Sequence, residues 1–135
     1  MRLLRLEHLK WQVLSVVDSN DVSVIENYIS NCNDRGVAGF ISLFERFAEH
    51  GHDGFNIKQK HEVDKGESIY QFRKGDHRVL FFSCENKAII VSCPHRKGGI
   101  KVDPKEVKKA IKIKNLYLKD KAKNTVIIFD EDKEE

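Results

Sequence analysis

The chain has 135 residues, 40% hydrophobic and 33% charged, with a formal net charge of +3. That length suits a single domain able to bury a core without staples, and no apolar run approaches the roughly 20 residues needed to cross a bilayer as a helix, which excludes a spanning helix. Three cysteines, Cys32, Cys84 and Cys93, make neither an even disulfide framework nor a CxxC pair, so reduced thiols, no metal and no cofactor are expected.

Basic residues interrupt the apolar ones in the first ten positions and leave no signal-peptide core, so a cytoplasmic location is expected. The charge is unevenly spread. Residues 130–135 hold five acids and one lysine, whereas 95–123 hold eleven Lys/Arg against Asp103, Glu106 and Asp120. A basic body suggests a polyanionic partner, and the acidic end reads as a disordered tail able to fold back over the basic segment.

In chain order, residues 10–17 are rich in strand formers and stop at the turn residues Asp18, Ser19, Asn20 and Asp21, giving a first strand. Val22, Ile25, Ile29 and Cys32 fall at helical spacing and predict a short helix over about 21–32. A second helix over about 35–50 carries the stripe Val37, Phe40, Ile41, Phe44, Phe47 and Ala48, with Gly51 suited to a left-handed C-terminal cap. These two helices are expected to form an antiparallel hairpin. The period then changes to two: residues 68–73, 77–84 and 87–93 predict three meandering strands, with a weaker strand at 59–63 before them. Asp103 as N-cap, Pro104 at the first helical position and Glu106 as the third element of a capping box start a last helix. Val107, Ala110, Ile111, Ile113, Tyr117 and Leu118 form its apolar side, lysines its other face, and 124–129 can add an edge strand. The expected architecture is therefore α+β, one domain over 1–135 with its core at about 10–122. A helical hairpin packs on a curved antiparallel sheet of four to five strands, followed by a basic C-terminal helix.

Several strings then combine. Ile69-Tyr70-Gln71-Phe72-Arg73, a tight turn, and His77-Arg78-Val79-Leu80-Phe81-Phe82 are followed by Ile90-Val91-Ser92-Cys93-Pro94-His95-Arg96-Lys97 and by Asp103-Pro104-Lys105-Glu106-Val107. In this order they resemble the RelE/ParE superfamily of toxins from type II toxin–antitoxin systems, and within it the phage-derived, HigB-like branch, over residues 10 to about 120. The resemblance implies ribosome-dependent cleavage of mRNA, with a cognate antitoxin, the ribosome and mRNA as partners and no membrane.

Metal-free RNA cleavage uses the substrate's own 2′-hydroxyl as nucleophile. The protein must take up that proton, balance charge on the phosphorus and protonate the leaving 5′-oxygen. The resemblance places phosphate-binding arginines at Arg78 and Arg96, a guanidinium clamp in which Arg73 adds a third charge. His95, flanked by Arg96 and Lys97, is the candidate general acid or base, with His77 in reserve. Lys97, Lys101 and Lys105 extend the RNA-binding surface. If Val79 and Phe81 face the helices, Arg78 must face away, and Arg96 is expected beside it. Two other readings remain: a non-enzymatic gyrase inhibitor of the ParE kind, and an inactive member that only binds a partner.

Overall fold

A computed structural model of the chain describes residues 1–32, 39–99 and 101–131. Strands β1 (Arg2–His8) and β2 (Gln12–Val16) precede helices α1 (Val24–Asn31) and α2 (Gly39–His50) and a short 3-10 helix, Gly51–Gly54. Then come β3 (Lys60–Asp64), β4 (Ile69–Lys74), β5 (His77–Cys84), β6 (Ala88–Arg96), α3 (Pro104–Ala122) and β7 (Ile127–Phe129). The fold is α+β, as expected, but the sheet is larger than four to five strands and is not purely antiparallel. Seven strands run in the order β3-β4-β5-β6-β2-β1-β7, with parallel pairing between β2 and β6 and between β1 and β7. The sheet does not close on itself.

Local chemistry explains three of the helix ends. The Ser23 side chain accepts from the amides of Ile25 and Glu26 to start α1, and the Asp103 side chain accepts from Lys105 to start α3 with Pro104 at its first turn. Gly51, at φ +66°, ends α2 in the left-handed region that glycine tolerates best. Along α2, Phe40, Leu43, Phe44, Phe47 and Ala48 are buried, whereas Ile41 is 48% exposed. The buried arc is centred on Phe40, Phe44 and Phe47, and the flank that completes it is Leu43 rather than Ile41. Val37 and the connection between the helices, 33–38, lie outside the described residues.

The two sheet faces bury separate clusters. Val13, Phe72, Val79, Phe81, Ile89 and Val91 meet α1 and α2, while Leu14, Ile69, Leu80, Phe82 and Ile90 meet Ala110 and Tyr117 of α3. Each fully buried large side chain contributes about 1.5–3 kcal/mol, so both layers are needed to hold the sheet. Leu118, expected on the apolar side of α3, is 48% exposed.

The first strand of the sheet is one that alternation did not disclose. In β1, Leu3 and Leu4 are both buried on opposite faces, and the basic residues between apolar ones are accounted for by partners: Arg2 donates to Asp21 at 2.8 Å and Arg5 to both carboxylate oxygens of Asp130 at 2.9 Å. Asp130 therefore lies against β1 and not over the basic segment 95–123. The rest of the acidic tail, 132–135, is outside the described residues.

Candidate anion-binding cleft

Strand pairing builds a polar row across four strands on the α3 side of the sheet. His61 of β3 pairs with Gln71 of β4, Arg73 of β4 pairs with Arg78 of β5, and Arg78 pairs with His95 of β6. Cross-strand partners share a face, and Gln71 lies opposite Leu80, which belongs to the α3 cluster. Gln71, Arg73, Arg78 and His95 form one wall of a cleft of about 210 Å3, and Lys97, Lys101 and Asp103 from the approach to α3 form the other.

The position of His95 in this row depends on an irregularity. Leu80 pairs with Ser92, yet two residues back along β5 Arg78 pairs with His95, three residues on along β6. The additional residue is accommodated around Cys93, which has φ +52°. A bulge of this kind shifts the facing of everything beyond it by one residue. It turns His95 towards Arg78 and pairs Arg96 with His77, which lies on the α1 and α2 side. The expected Arg78–Arg96 clamp is thus not assembled: the guanidinium that joins Arg78 is that of Arg73. His77 is fully buried, with its Nδ1 2.7 Å from the Tyr28 hydroxyl and its ring edge-on to Phe40, so it stands in the core and not in the cleft.

Each cleft side chain has an anchor. Arg73 donates through Nε to Gln71 Oε1 at 3.1 Å and through a terminal nitrogen to His61 Nε2 at 2.8 Å. Arg78 donates to the carbonyls of Gly75 and His77, both at 2.8 Å. Burial, followed by repulsion from Arg73, lowers the pKa of Arg78, with Asp76 acting the other way. Two partly desolvated guanidinium groups side by side are a cost that a bound anion relieves. His95 Nδ1 lies 2.7 Å from the Cys93 carbonyl, to which it must donate, and this leaves Nε2 as the nitrogen able to exchange a proton. Glu106 Oε2 is 3.9 Å from the same Nδ1.

The lysines divide. Lys97 forms a half-exposed pair with Asp76 at 3.5 Å, Lys101 sits exposed at the cleft, and Lys105 is exposed on the first turn of α3 without lining it. Three contributors were not singled out from sequence: His61, Gln71 and Glu106. Stepping back two residues from Arg73 along its strand yields Gln71. His61 lay in the weakest expected strand, and Glu106 was expected to complete a capping box, whereas its carboxylate contacts His95 and, at 3.3 Å, Lys109.

Among the described residues no group of three or more His, Cys, Asp or Glu is placed to hold a metal ion, and no helix is long and apolar enough to cross a membrane. In comparisons with known proteins, neither a family model nor a curated relative matches the chain.

Proposed function

We propose that the protein is an RNA endonuclease of the RelE/ParE toxin kind, cutting mRNA at the ribosome in the cytoplasm without a metal ion and held in check by an antitoxin protein. The observation that carries this reading is the convergence of Arg73, Arg78 and His95 on one sheet face, within a cleft closed by Lys97 and Lys101. Paired guanidinium groups are suited to a phosphodiester, whose non-bridging oxygens accept their donors and whose charge rises in the pentacoordinate transition state. His95 Nε2 is the group able to exchange a proton with the 2′-hydroxyl or the 5′-oxygen, with Nδ1 held by the Cys93 carbonyl so that the ring keeps one orientation.

The basic outer face of α3 supplies diffuse phosphate attraction, which brings RNA in without choosing a sequence. The antitoxin has a direct route to neutralisation, since acidic groups laid over the cleft compete for the same cations.

The experiment is a map of cellular mRNA 5′ ends after brief induction, with Arg78→Ala and His95→Asn as companions. Discrete cuts within translated frames that vanish in both variants support the reading. Growth arrest with intact mRNA overturns it in favour of gyrase inhibition.

A further inference from the structure

The side of the sheet covered by α1 and α2 carries a second surface of opposite character. Leu6 of β1, Ile25 and Ile29 of α1, and Ile41 and Phe44 of α2 line a narrow trough of about 140 Å3. Ile25 and Phe44 form its buried floor, while Ile41 stands 48% exposed at its edge. An apolar side chain left in water beside an apolar trough contributes little to its own core and is a common feature of docking surfaces.

The rim is acidic. Glu7 and Glu26 line the same trough, Glu45 crowds Glu7, and Glu131 crowds Glu26. Burial first, and these like charges second, raise the pKa of both Glu7 and Glu26. Elsewhere carboxylates have found cations: Asp21 has Arg2 at 2.8 Å, Asp130 has Arg5 at 2.9 Å and Glu106 has Lys109 at 3.3 Å. Among the described residues, no ion pair is formed by Glu7, Glu26 or Glu45. Partly desolvated carboxylates with acidic neighbours are destabilised, and a cation brought by another molecule removes that cost.

We infer that this trough is a docking site for a cationic amphipathic helix of a partner protein, with apolar anchors on Ile29, Ile41 and Phe44 and flanking Lys or Arg against Glu7, Glu26 and Glu45. A trough between two helices is the shape into which an amphipathic helix lays its apolar face. The negative rim repels nucleic acid. Because the trough lies across the sheet from the cleft, the inference does not rest on the proposed nuclease activity.

The test uses two synthetic helical peptides of about 16 residues, long enough to hold a helix on binding. Both carry leucines at i, i+3, i+4 and i+7; one has lysine and the other glutamate at the remaining positions. Titration into the isotopically labelled full chain should shift the amide resonances of Ile29, Ile41 and Phe44 with the lysine peptide and leave them unmoved with the glutamate peptide. Ile41→Asp, at an exposed position that the fold tolerates, and Glu26→Lys should each weaken the lysine peptide roughly tenfold or more. Unchanged thermal unfolding of both variants keeps that comparison valid. Equal binding of the two peptides, shifts confined to other surfaces, or affinity indifferent to both substitutions overturns the inference. Concentration-dependent self-association abolished by Ile41→Asp also overturns it, because the occupant would then be a second copy of this chain.

Discussion

Arg78 and His95 face each other across β5 and β6 because β6 accommodates one extra residue at Cys93. With regular pairing continued from Leu80 and Ser92, Arg78 would meet Pro94 and His95 would turn to the α1 and α2 side with His77. One left-handed residue thus decides whether the His95 imidazole stands beside the arginine pair, and bulges commonly re-aim a side chain in this way beside functional sites.

The first consequence is an inequality among arginines. Arg78→Ala and Arg73→Ala should each reduce mRNA cleavage and growth inhibition by about a hundredfold, the cost of removing one donor from a phosphate-stabilising pair. Arg96→Ala, on the other face, should retain most activity. Induction of matched soluble levels, followed by primer extension on a translated message, distinguishes the three. Equal loss in Arg96→Ala and Arg78→Ala would restore the Arg78–Arg96 clamp and rule out the Arg73–Arg78 pair as the phosphate site.

His95→Asn separates binding from chemistry. The asparagine amide can still donate to the Cys93 carbonyl, while the proton-exchanging nitrogen is lost. Cleavage should fall by roughly 10²–10⁴-fold. RNA affinity at fixed salt should hold, since the phosphate attraction comes from Arg73, Arg78, Lys97 and Lys101. A parallel loss of affinity would make His95 a binding residue rather than the proton carrier.

The legible parts of this fold were those with a clean period. Phe40, Phe44 and Phe47 on α2, the apolar run Val79-Leu80-Phe81-Phe82 on β5, and the Asp103-Pro104 start of α3 state their roles locally. β1 was hidden because Arg2 and Arg5 look like interruptions until Asp21 and Asp130 arrive from far along the chain. Parallel pairing of β2 with β6 is equally non-local. In the site, Arg73, Arg78, His95, Lys97 and Lys101 were recognisable as candidates by charge and order. That Arg96 leaves the group, and that His61, Gln71 and Glu106 join it, follows from a bulge and from strand registers that residue periodicity does not encode.

Gly51 offers a test of the packing beneath α2. At φ +66° an added Cβ would stand 2.6 Å from Trp11 Nε1 and 2.8 Å from Cε2. The left-handed backbone and the forced movement of a rigid indole together should cost Gly51→Ala about 2–4 kcal/mol. Gly75, at φ +57° with nothing within 4 Å of its added Cβ, gives the contrast: Gly75→Ala carries the backbone cost alone, about 1 kcal/mol. Denaturant midpoints should order the variants accordingly, with the emission of the chain's single tryptophan displaced in Gly51→Ala. Equal midpoints would mean that Trp11 moves aside freely.

His61 couples the cleft to pH. Burial first, then the charges of Arg73 and Arg78, push its pKa below the usual 6.5. Its Nε2 accepts from Arg73 at 2.8 Å, which requires a neutral ring, and its buried Nδ1 has no hydrogen-bond partner among the described residues. Because the folded pKa is depressed, the unfolded chain takes up the proton first on acidification. The contribution of neutral His61 to stability is therefore complete above the unfolded value and lost as pH falls towards the folded one. Urea unfolding between about pH 7.5 and 5.5 should show the wild type weakening steadily. His61→Gln, whose amide oxygen can still accept from Arg73, should weaken less, with a residual slope from His52, whose pKa is also lowered by burial and by Lys60. If the two proteins lose stability in parallel, His61 does not take up the proton and the arginine pair is insensitive to pH.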